Sequence, residues 1–68
     1  MITEIGIVAG EIWQYLDKRG EVTLAELVRG IDQPRDLTLM SLGWLAREGH
    51  VLVRIDSNGL RAGLRRRT

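Results

Sequence analysis

The groups in this chain able to do chemistry are mostly arginines, and they gather toward one end. Residues 47–68 hold six arginines against Glu48 and Asp56, net +4, whereas residues 1–46 hold four basic and seven acidic residues, net −3. Guanidinium groups suit phosphate, because their planar fork of donors matches its oxygens. Arg54, Arg61, Arg65, Arg66 and Arg67, joined by Arg35 and Arg47 further upstream, are therefore the candidate nucleic-acid contacts. Catalysis has no comparable set. His50 is the one histidine and cysteine is absent, so no thiolate nucleophile, metal cluster or acid/base triad is in view, and neither a cofactor nor a small-molecule pocket is expected. The longest apolar runs are too short to cross a bilayer, which makes a soluble, cytoplasmic protein the expectation.

The elements that would carry these arginines follow from periodicity. Ile5, Val8, Ala9, Ile12, Trp13 and Leu16 recur at helical steps and predict a first helix over about 3–19, capped by Thr3 and stopped by Gly20. Thr23-Leu24-Ala25-Glu26 has the form of a capping box and opens a short second helix over about 24–30, with Gly30 as a left-handed stop. Pro34 starts a third helix that runs to about residue 48 and ends at Gly49, the last carbonyls being capped by His50. Val51-Leu52-Val53-Arg54-Ile55 alternates like a strand, and Asn58-Gly59 is a strong hairpin signal. A two-residue Asn58-Gly59 loop pairs Ile55 with Ala62, Val53 with Leu64 and Asp56 with Arg61. It avoids setting Arg54 opposite Arg61, turns Val53, Ile55, Ala62 and Leu64 toward the helices, and leaves Arg54, Arg61 and Arg65 on the solvent side.

Helix, short extended link, helix, tight turn, helix and two-stranded hairpin make a mainly α fold with a small β-hairpin: a winged helix-turn-helix filling residues 1–68 as one domain, with the wing over about 51–66. On a 100° wheel Trp44 falls close to Leu37, with Ser41, Leu45, Leu42 and Met40 on the same broad arc, so Trp44 reads as core, packed on the first helix near Trp13 or Leu16. The opposite arc carries Arg35, Asp36, Leu39, Gly43, Ala46 and Arg47. Leucine, glycine and alanine at its centre offer little to base edges and suit close packing against protein. Gly6 and Gly10 inside the first helix cost about 1 kcal/mol each, which implies a close approach there, by a partner or by the chain's own wing.

The runs "EIGIVAGEIWQYL" (residues 4–16), "TLAEL" (23–27) and "GWLAREGHV" (43–51) resemble a small prokaryotic winged helix-turn-helix family of unknown function. The resemblance covers nearly the whole chain. It implies the winged-helix fold and a scaffold role for Gly6, Gly10, Gly43 and Trp44, but no activity; His50 stands where the family usually has lysine.

Two non-enzymatic functions remain open. One is a DNA-binding protein, a weak reader of sequence, that lays Arg35, Arg47, Arg54, Arg61, Arg65, Arg66 and Arg67 on phosphates, acts as a dimer and serves as a transcriptional regulator. The other is a protein-interaction or dimerisation module that uses the Leu39/Gly43/Ala46 face of the third helix or the Gly6/Gly10 face of the first.

Overall fold

A computed structural model of the chain describes residues 1–65. The first helix, α1, spans Ile2–Arg19; β1 is Val22–Thr23, α2 Leu24–Gly30, α3 Arg35–Arg47, β2 Val51–Asp56 and β3 Gly59–Leu64. Arg66 and Arg67 lie outside the described residues.

Local chemistry accounts for most boundaries. Thr23 and Glu26 complete a reciprocal capping box: the Thr23 hydroxyl accepts from the Glu26 N–H at 3.2 Å, and the Glu26 carboxylate accepts from the Thr23 N–H at 3.0 Å. At the end of α3, Gly49 takes φ +80°, its N–H bonds the Ala46 carbonyl, and the His50 N–H bonds the Leu45 carbonyl. This is a Schellman stop. The His50 cap on α3 is thus made by its backbone.

Three local expectations are corrected. Helix α1 begins at Ile2, with Met1 and not Thr3 at the N-cap position and no side-chain cap. Gly30 remains helical and Ile31 is the C-cap, in extended backbone. The need for glycine at 30 is steric: a Cβ there would collide with the Tyr15 ring. Third, Glu21–Thr23 is more than a link, since Val22 and Thr23 pair with Ala62 and Arg61 to make a three-stranded antiparallel sheet of order β1-β3-β2.

The hairpin register also differs from the expected one. Asp56 pairs with Gly59, Ile55 with Leu60, Arg54 with Arg61, Val53 with Ala62 and Val51 with Leu64, which makes the loop Ser57-Asn58. An Asn58-Gly59 turn needs positive φ at Asn58, and only Gly59 adopts it, at 112°. The Asp56 carboxylate instead accepts from the Asn58 N–H at 2.8 Å, a local bond that sets the turn one residue earlier.

The core lies where α1, α2 and α3 meet the base of the sheet. Val8, Ala9, Ile12 and Leu16 of α1 are buried with Leu27, Ile31, Leu42, Leu45, Val22, Val51 and Ala62. Burying a side chain of this size contributes about 1.5–3 kcal/mol, so this cluster holds the fold. Val53 and Ile55, expected to face the helices, are exposed, on the edge strand β2, whereas Ala62 opposite Val53 on the central strand β3 is buried.

Candidate functional site: an apolar face and an arginine wing

The core side of α3 consists of Thr38, Ser41, Leu42 and Leu45. On a 100° wheel its centre lies about 90° from Leu37. Thr38 and Ser41 are completely buried, with the Thr38 hydroxyl donating to the Pro34 carbonyl at 3.1 Å. These compact side chains take the buried positions of α3, and Trp44 lies about 110° from their centre on the wheel. Trp44 is accordingly 46% exposed and Trp13 42% exposed. The expectation that Trp44 is a core residue is corrected, and Trp13, on the apolar stripe of α1, is likewise half out of the protein.

Both rings border one shallow groove of about 310 Å³, lined by Gly6, Gly10 and Trp13 from α1 and by Trp44, Leu45 and His50 at the end of α3. A Cβ built on Gly6 or Gly10 meets nothing within 4 Å, so among the described residues neither the wing nor any other element approaches them. Ile2 and Ile7 on α1 and Met40 on α3, one turn before Trp44, are further exposed apolar side chains of the same two helices. Gly43 is exposed beside Trp44, whereas Leu39 and Ala46 are half-buried. The exposed stripe of α3 is therefore Asp36, Met40, Gly43, Trp44 and Arg47, rotated from the Leu39/Gly43/Ala46 strip.

The arginines are dispersed. Arg54 makes a two-pronged pair with Glu21, Nη2 to Oε1 at 2.7 Å and Nε to Oε2 at 3.2 Å, and this carboxylate raises the pKa of the guanidinium further. Arg61 is half-buried and pairs with Asp56 at 3.4 Å. These two carboxylates make the like-charged Arg54 and Arg61 tolerable as direct cross-strand neighbours. Arg65 is exposed, and its side chain runs beside Gly49 with Glu48 and His50 in a small polar cleft that also touches Trp13. It belongs to the edge of the tryptophan groove. Arg35 and Arg47 are exposed at opposite ends of α3, about 18 Å apart by helical rise, and form no ion pair with a described residue.

No group of three or more His, Cys, Asp or Glu side chains among the described residues is arranged to hold a metal ion, and no described helix is long and apolar enough to cross a membrane.

The chain matches the model of the family described as "Winged helix-turn-helix domain (DUF2582)" over residues 1–62. It belongs to that family. The solution NMR structure of protein BT2368 from Bacteroides thetaiotaomicron is similar to it, with 26% sequence identity and a TM-score of 0.80 over 91% of this chain and 76% of that one. A comparison with curated proteins finds no match. Winged helix-turn-helix architecture is compatible with DNA binding, while the side chains on α3 and the wing determine what this member can grip.

Proposed function

We propose that this domain is a non-catalytic protein-docking module whose working surface is the apolar α1/α3 face. The observation that carries this reading is the exposure of Trp13 and Trp44 on either side of an open, glycine-floored groove. Tryptophans are strong interface anchors, and apolar surface concentrated in one place marks docking sites on small proteins. The helix that would enter a major groove presents Met40, Gly43 and Trp44 at the middle of its exposed stripe, and none of these hydrogen-bonds a base edge through its side chain apart from the single indole N–H.

A second reading is favoured by Arg35 and Arg47, the two exposed arginines of α3 without a carboxylate partner among the described residues. With Arg65, and with Arg66 and Arg67 beyond the described residues, they would supply a phosphate-binding, weakly sequence-selective DNA contact of the kind a regulator uses. Arg54 and Arg61 would first have to leave Glu21 and Asp56.

One experiment separates these readings. A photo-reactive benzoylphenylalanine at Met40, compared with one at Arg54, is irradiated in cells, and fluorescence anisotropy of a labelled duplex is followed at low and moderate salt. Docking on the apolar face gives protein cross-links from position 40 and not from 54, with no salt-sensitive DNA binding. Salt-sensitive binding lost on Arg35→Ala/Arg47→Ala, without protein cross-links from position 40, would establish the DNA reading instead.

A further inference from the structure

We infer that the occupant of the α1/α3 face is a second copy of this chain, held in a two-fold, antiparallel α1-to-α1 contact. This deepens the docking reading and rests on it. Three features of the face support the assignment.

The first is area. Ile2 is 87% exposed and Ile7 57%, and with Trp13, Met40 and Trp44 they present on the order of 600 Å² of apolar side chain. Two copies together would bury roughly 1,200 Å², the lower end of a specific stable interface. The exposed apolar content suits a homodimer better than a transient contact, since homodimer interfaces are the more apolar class.

The second is self-complementarity. An isologous contact requires one surface to carry both the projection and the recess that receives it. Here the tryptophans project and Gly6 and Gly10, one helical turn apart, leave the recess. Antiparallel pairing centred between these glycines sets Gly6 of one copy against Gly10 of the other. It also brings Trp13 of each level with Ile2 and Thr3 of the other. The glycines let the two helix backbones approach, which accounts for residues that weaken α1 and relieve no contact within the chain.

The third is charge. A two-fold axis brings each group near its own copy, so a charge close to the axis would repel itself. The exposed positions nearest the paired glycines, Ile2, Thr3, Gly6, Ile7, Gly10 and Trp13 on α1, are uncharged, and the charged Glu48 and Arg65 lie at the outer edge of the groove beside Trp13.

The test is sedimentation velocity from low to high micromolar protein, on the wild type and on Gly6→Gln/Gly10→Gln. The added side chains enter open space in the monomer, so circular dichroism and thermal melting should show a folded variant. The expected result is a concentration-dependent dimer whose dissociation constant rises by about thirtyfold or more in the double variant, as for loss of an interface hot spot. A dimer that survives the double substitution unchanged would overturn the proposed geometry. A wild type that stays monomeric throughout, while the Met40 cross-linker captures a different protein, would overturn the second copy and leave the docking reading standing. Monomer with no cross-link would overturn both.

Discussion

The wing and the α1/α3 face are both surfaces that a ligand can reach, and they differ in what the chain has already done with their groups. On the wing, Arg54 is held by Glu21 and Arg61 by Asp56, so the charges that look available along the sequence have internal partners. On the α1/α3 face, Trp13 and Trp44 remain open to solvent beside two glycines that nothing among the described residues covers, and Met40 and Ile7 are exposed on the same helices. A charged side chain in water is already solvated, and an exposed ion pair contributes little. An exposed indole is not satisfied in this way, and the hydrophobic effect favours covering it. The contrast teaches that a surface's readiness to bind depends on its unmet interactions more than on its residue types.

The largest expected effect comes from contrasting glycines. Gly30→Val should destabilise the monomer by about 2–3 kcal/mol in urea denaturation, because the new side chain collides with the Tyr15 ring packed over α2. Gly6→Ala and Gly10→Ala should act oppositely, each stabilising the monomer by up to about 1 kcal/mol through helix propensity. A loss at either position would mean that the chain itself fills the groove.

A smaller effect tests the indoles. Trp44→Ser should cost the isolated monomer no more than about 1.5 kcal/mol, against the roughly 3–5 kcal/mol typical of a fully buried aromatic. A loss in the larger range would return Trp44 to the core. On the wing, Glu21→Gln removes the carboxylate from Arg54 and should leave both stability and DNA binding almost unchanged. The appearance of salt-sensitive duplex binding in that variant would make the ion pair a latch on a nucleic-acid surface and reverse the comparison.

The smallest effect is pH-dependent. Glu26 has its pKa lowered by hydrogen bonds from the backbone and then the hydroxyl of Thr23. A depressed folded-state value stabilises the fold above the ordinary carboxylate range, and the contribution is lost as pH falls through the lowered value. Urea titrations at neutral and acidic pH should therefore converge for wild type and Glu26→Gln at the acidic end. A difference that grows on acidification would contradict the capping role.

Much of the architecture is legible in the chain because it rests on local rules. Thr23 and Glu26 announce a helix start, Gly49 a helix stop, and the apolar steps of α1 a buried stripe. What escapes is decided by contacts remote in sequence or by space. Strand β1 is two residues long and exists through its pairing with β3. The Arg54–Glu21 pair joins residues 33 positions apart, and nothing local to either announces it. Hydrophobic periodicity places Trp44 on the apolar arc correctly, but it measures side-chain type and not the room available. The small residues Thr38 and Ser41 take the buried positions, and the indole is displaced to the edge. The open Gly6-x-x-x-Gly10 spacing was the available sequence signal for this face, and its meaning depended on finding the space above it empty.

Both tryptophans of the protein lie on the α1/α3 face, so intrinsic fluorescence reports on that surface without a label. The most direct test of the central claim is acrylamide quenching of tryptophan emission as a function of protein concentration, repeated with duplex DNA. The account requires indoles that are open to quencher in dilute protein, become protected with a blue-shifted emission as the face is covered, and do not respond to DNA. Indoles already protected in the dilute monomer, or protected only when DNA is added, would contradict it.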